Sequence, residues 1–284
     1  MTAIDPPPAG SARQLLCQFE PDARDALQAL FALEREIEDS ARPGIDHGVG
    51  HARLDWWGAE CARLAAGAPR HPASLALQAA LRRMGRDAVD LSALVDAARW
   101  RFARATFESR DELMQGLNGW ARTLFGMLPS LTNQAEPGLD QRLAAFCLRA
   151  GAAVREIELL MAARPLALRG LVFLPLDELA RAGIDHTALH AAPWPASLAD
   201  RLRSRYAHAE GELRAAAAAL ATDDRRAARV PLVWADLACG AARDATAALP
   251  IEYAAGRLEP LAATWRAWRA ARAALQGRLP PRLR

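Results

Sequence analysis

The sequence contains no lysine: all 36 of its basic residues are arginine. That absence removes Schiff-base and other lysine chemistry from consideration. It also excludes a P-loop, whose lysine reaches the nucleotide phosphates. Cysteine is scarce and scattered. Cys17, Cys61, Cys147 and Cys239 form no C-x-x-C pair, which argues against a zinc site or a disulfide framework and for reduced, buried thiols. No G-x-S-x-G elbow offers a nucleophilic serine. Uninterrupted apolar stretches fall short of the ~18 residues that would suggest a bilayer-spanning helix. No basic segment followed by an apolar core opens the chain as a secretory signal would. A cytoplasmic protein is the resulting expectation. Strand patterns are nearly absent as well, and no period of about 20–50 residues repeats.

What is present is apolar and helical. With 284 residues, 52% hydrophobic, 24% charged and a net charge of +3, the chain can bury a sizeable core and is not of disordered composition. Residues 1–10 are rich in proline and read as a loose leader. From Ser11 onward the pattern is helical. Ala26, Leu27, Leu30, Leu33 and Ile37 make an apolar stripe at three- and four-residue spacing, and Pro43-Gly44 punctuates the end of that helix. Further helices are predicted over 51–66, 72–84, 91–107, 111–132, 138–164, 176–182, 197–221, 231–247 and 258–276. Leu171–Pro175, too short for a helix, reads as an extended connector. The fold class is all-α, with the main domain over 11–256 and a basic tail over 257–284. That tail carries seven arginines against the single acid Glu259, so it holds +6 of charge.

Three groups of residues could carry chemistry. Glu34, Glu36, Glu38 and Asp39 cluster on the first long helix, where Glu34 and Glu38 share a face. Clustered carboxylates can hold Mg²⁺, but on spacing alone the pattern reads as a solvated polar face with Arg35 as local ion partner. The histidine pairs His47/His51 and His186/His190 lack the glutamate of a zinc helix and read as surface residues. In the tail, Trp265 and Trp268 stand among Arg266, Arg269 and Arg272. This pattern suits a membrane surface, an acidic partner or nucleic acid; among these, peripheral contact with an anionic inner membrane is the expectation and nucleic acid is disfavoured. The plainer reading buries the Trp pair against the domain and leaves the arginines wet.

Several blocks together resemble the squalene/phytoene synthase superfamily, the head-to-head prenyl transferases. Ala29–Asp39 (ALFALEREIED) is similar to that family's ALYAFCREVDD run. Leu54-Asp55-Trp56-Trp57 followed by Gly67-Ala68-Pro69-Arg70-His71-Pro72 is similar to its L-x-x-W-W…G-x-P-x-H-P stretch. Gly151 through Pro175, then Leu176-Asp177-Glu178-Leu179 through Gly183, resembles its long helix, R-G-R-x-Y-L-P and L-D-E-L-x-x-x-G. The likeness runs from about residue 13 to about 250. It implies a single isoprenoid-synthase-like bundle of helices around a central cavity, with two Asp-rich motifs holding Mg²⁺ against a diphosphate leaving group.

Those motifs are eroded here. The first, D-D-x-x-D-E, falls on Glu38-Asp39-Ser40-Ala41-Arg42-Pro43, so only its first half survives. The second, N-x-x-R-D-x-x-x-D, reads Glu158, Met161, Ala162 and Leu166. The family's Tyr ahead of its V-A-G-x-V-G helix falls on Gly116. The erosion is similar to that in the mitochondrial complex I assembly factors of this superfamily, whose pattern resembles Ala29–Leu33 and Glu156–Pro165. Two readings follow. In one, the protein keeps the fold without catalysis, needs no cofactor, and acts as a binding or assembly protein toward a protein or a lipid held in the cavity. In the other, it is a divergent prenyl transferase of the squalene or phytoene synthase type. It would then use Glu34, Glu38, Asp39 and Glu158, with Mg²⁺ on Glu38 and Asp39 and with Arg35, Arg155 and Arg169 available to the substrate.

Overall fold

The computed structural model describes residues 6–8, 10–132, 140–252 and 260–284, and among these it contains helices and loops with no strand. Ala, Leu and Arg, all strong helix formers, dominate the composition. The starts of the helices are written in capping residues. Ser11 accepts from the Gln14 amide at the head of α1 (Ala12–Phe19), Asp46 from Val49 at α3 (His47–Ala65), and Ser109 from Glu112 at α6 (Arg110–Trp120).

Helix α2 (Arg24–Ser40) buries Ala26, Leu27, Leu30, Leu33 and Ile37 as the stripe predicts, and it also buries Ala29, Phe31, Ala32 and Glu34. It is therefore an interior helix rather than a surface one. It packs against α1, α3, α4 (Pro72–Arg83) and α5 (Ser92–Phe102). The other central helix is α8 (Asp140–Met161), which packs against α6, α11 (Ala196–Ala218) and α13 (Arg229–Ala248). Trp234 of α13 is fully buried and meets Phe31 and Trp120 edge-on, at 5.6 and 5.9 Å between ring centroids.

Three departures from the sequence reading have local causes. The stretch 111–132 is one run of helix by pattern, but a wider π-helical turn, Ala121–Phe125, separates α6 from α7 (Gly126–Thr132). That turn lies so close to Gly151 of α8 that a Cβ there would stand 2.8 Å from those of Ala121 and Phe125. The long helix predicted to end at Pro165 breaks earlier, at Ala162, and restarts as α9 (Ala163–Ala167). Pro165 has no N–H to offer the Met161 carbonyl and crowds it, so the helix cannot run through. Helix α5 stops at Phe102, short of the predicted 107. Residues 105–108 run beside the Leu171–Pro175 connector, with Val172 N–H donating to the Ala105 carbonyl at 2.8 Å and Leu176 N–H to that of Phe107 at 2.8 Å.

The ends of the chain are packed. Pro7 is buried, so this part of the leader lies on the domain; residues 1–5 and 9 fall outside the described residues. Helix α14 (Pro260–Leu275) lies on α13 and α1, and Leu283 beyond it is buried. The expectation for its tryptophans is corrected: the helix buries Ala263, Ala267, Ala270 and Ala274, while Trp265 and Trp268 are exposed. Small side chains let α14 approach closely, and the indoles have no room on that face. The four histidines of the two pairs are exposed, as expected.

Candidate functional site

Glu34 and Glu38, one turn apart on α2, face Arg155 and Glu158, nearly one turn apart on α8. Between them stand Arg13 from α1 and Arg101 from α5. Arg13 forks onto Glu34, Nε to Oε2 at 2.8 Å and Nη2 to Oε1 at 2.7 Å, and reaches Glu158 with Nη1 at 2.9 Å. Arg155 donates to Glu158 at 3.1 Å and to Glu38 at 2.8 Å. Arg101 donates to the same Glu38 oxygen, Oε2. The Trp120 indole N–H completes the set at 3.0 Å from Glu34 Oε1. Two of the guanidiniums also lie over indole rings, Arg13 on Trp234 at 4.8 Å and Arg155 on Trp120 at 5.2 Å.

Three carboxylates and three guanidiniums thus alternate, and the cluster sums to zero charge. Burial pushes the Glu38 carboxyl up, but Arg101 and Arg155 outweigh it and bring it down to about 2. Burial likewise raises Glu158, and Arg13 and Arg155 reverse it, leaving its pKa below the ordinary value. The same exchange holds Arg13 and Arg155 firmly charged: their carboxylate partners overcome the cost of burial and raise both above the usual arginine value.

This arrangement decides how well the residues fit Mg²⁺. The ion asks for oxygen ligands in near-octahedral geometry, usually one or two carboxylates with waters and substrate phosphates. Both oxygens of Glu34 and of Glu158, and Oε2 of Glu38, already accept hydrogen bonds from arginine or tryptophan. An incoming cation would have to expel guanidiniums from their carboxylates. The residues present do not fit the metal. Among the described residues, no group of three or more His, Cys, Asp or Glu side chains is placed to hold a metal ion.

Of the residues singled out in the sequence, Glu34, Glu38, Arg155 and Glu158 meet here. Glu34 is buried, which corrects its reading as part of a solvated face. Asp39 does not join them: it is exposed, and no described side chain pairs with its carboxylate. Arg35 is half-buried beside the cluster, at the rim of an outer pocket. Arg169 is exposed in the turn after α9 and lines neither pocket described here. Met161 and Ala162 sit at the break between α8 and α9 and Leu166 within α9; the resemblance puts the metal-binding aspartates at Ala162 and Leu166. Sequence reasoning missed Arg13, Arg101 and Trp120. Nothing in their spacing marks them, because each reaches the cluster from a different helix.

Two pockets flank the network, and the Glu38–Arg155 pair lines both. The outer one, about 270 Å³, is walled by Pro7, Pro8, Phe31 and Arg35. The inner one, lined by Trp100, Phe107, Trp120 and Phe173, is only about 30 Å³, room for roughly one water. Aromatic rings take up the space there. Trp100 stacks on Phe107 at 5.3 Å, Phe107 on Phe173 at 5.5 Å, and Arg104 covers Trp100 at 4.3 Å. Trp100 lies so tightly on Gly116 that a Cβ there would stand 2.2 Å from the ring. Beneath it, Glu156 is gripped by Arg110 and Arg205, and Arg201 and Arg205 hold Glu178.

The chain matches the squalene/phytoene synthase family profile over residues 13–269. Among solved structures it is similar to a dehydrosqualene synthase in complex with ligand, with a TM-score of 0.74 and 14% identity over 91% of each chain. It is also similar to the squalene synthase HpnC from Alicyclobacillus acidocaldarius, with a TM-score of 0.60 and 16% identity over 81% of this chain and 85% of that one. At such identities the likeness is one of fold. A search of curated sequences finds no significant match. With nearly its whole length matching the profile and its helices arranged as in those enzymes, the chain belongs to the squalene/phytoene synthase family.

Proposed function

We propose that this protein keeps the family's fold without its magnesium-dependent prenyl transfer, and that it acts through its surface as a binding or assembly protein. The observation that carries this reading is the closed ion network. Glu34, Glu38 and Glu158 are neutralised by Arg13, Arg101 and Arg155, so a metal would have to break ion pairs that are largely withdrawn from solvent. Breaking one of these pairs strands a charge in a site shielded from water on most sides, and the eroded second motif offers no replacement ligands.

The space beneath the network supports the same reading. Ligand pockets begin at about 300 Å³; the pocket beside Trp100 and Phe107 is about 30 Å³, and only the outer one, about 270 Å³, approaches that size. A lipid held inside the bundle is therefore the weaker form, and a protein-assembly role, like that of the branch whose pattern it resembles, is the stronger. The test is release of diphosphate from farnesyl or geranylgeranyl diphosphate with Mg²⁺. We expect none above the protein-free rate, and no change in melting temperature between Mg²⁺ and a chelator. Turnover that disappears in Asp39→Ala would overturn the proposal and restore the divergent transferase.

A further inference from the structure

The face of α14 that points away from the domain is apolar and cationic together. Leu261, Trp265, Trp268 and Leu275 are 86%, 56%, 45% and 50% exposed. At 100° per residue the four fall on one side of the helix, opposite the buried alanines. Helix α14 carries three arginines and no acid. Arg266 pairs with Asp244 at 3.5 Å. Arg269 and Arg272 are exposed and lie over Trp265 and Trp268, at 4.6 and 5.3 Å. At the C-terminal end Arg226 adds its charge, donating to the Leu275 carbonyl at 3.0 Å, and Arg278 is exposed nearby in sequence.

We propose that this face docks on the surface of an anionic lipid bilayer. Indoles favour the boundary between headgroups and acyl chains. Guanidiniums fork onto phosphate oxygens with a geometry that ammonium groups lack. The apolar groups decide between anionic partners. Leu261 and Leu275 gain nothing from a nucleic acid or an acidic peptide in extended contact, and they project outward from the helix. A bilayer deforms around such a surface and takes leucine and tryptophan to a depth of about 5–10 Å. No described helix is long and apolar enough to cross a membrane, so the helix would lie in the plane of the interface. The inference is independent of whether catalysis survives.

The test is co-sedimentation of the full chain with vesicles of phosphatidylcholine alone and of phosphatidylcholine with phosphatidylglycerol. Binding is expected only to the second, and release is expected at about 1 M salt, where the screening length is about 3 Å. Each arginine near an anionic surface contributes about a fivefold gain in partitioning, so the double variant R269Q/R272Q should bind roughly 25-fold more weakly. W265A/W268A should lose binding too, and brominated lipids should quench the wild-type tryptophan fluorescence. All four side chains are exposed, so the variants should keep the wild-type circular dichroism. Failure to bind phosphatidylglycerol vesicles, or undiminished binding by either folded variant, overturns the proposal. So does salt-sensitive binding to DNA or polyglutamate without binding to vesicles, which would assign the face to another polyanion.

Discussion

Replacing Glu38 by Gln separates an ion network from a metal site awaiting its cation. In the folded protein Arg101 and Arg155 hold this carboxyl near 2, against an ordinary value near 4.5. That difference is worth about 3 kcal/mol of folding stability by linkage. Because the folded value lies below the ordinary one, the contribution is fully present above the unfolded value near 4.5 and drains away as pH falls toward about 2. Glu38→Gln keeps the shape and removes the charge, so urea unfolding at neutral pH should show a loss of about 3 kcal/mol. The gap from wild type should narrow as the pH is lowered through that window, because protonation makes wild type resemble the variant. A cluster of carboxylates poised for Mg²⁺ behaves oppositely. Without the metal its like charges repel, and neutralising one stabilises the fold. A variant as stable as wild type at neutral pH, or more stable, would refute the network argument.

Other expectations rest on single contacts. Gly116→Ala should lower stability by about 1–3 kcal/mol, because its Cβ would enter the Trp100 ring; adding Trp100→Leu should restore part of the loss in thermal melts. Burial pushes the thiols of Cys17, Cys61, Cys147 and Cys239 up to about 12, so iodoacetamide should label none of them in the native protein and all of them in urea. Buried Glu60 accepts the Arg70 and His71 amides at 2.8 and 2.7 Å. Glu60→Ala should cost about 2–4 kcal/mol in chemical denaturation, since it strands two donors.

How much of this was legible beforehand varies with the length scale of the interaction. The α2 stripe and the extended Leu171–Pro175 connector follow from periodicity and turn chemistry, which act over a few residues. The solvated reading of Glu34 failed because its partners Arg13 and Trp120 lie 21 and 86 positions away. The tryptophans of α14 went the other way. Amphipathic reasoning buries large rings, but the contact with α13 and α1 is made by alanines, and no sequence pattern says how closely two helices will approach. Glycine carries similar hidden information: at 116 it admits Trp100, and at 151 it admits the π-helical turn.

The sequence by itself determined the class of fold and carried the family blocks, because each is a property of residue type at short spacing. Only the tertiary structure decided which groups surround the carboxylates of α2. Electrostatic neutrality in a site largely withdrawn from water is a sum over every element that reaches it. Here that sum is closed by arginines from α1, α5 and α8 on carboxylates from α2 and α8.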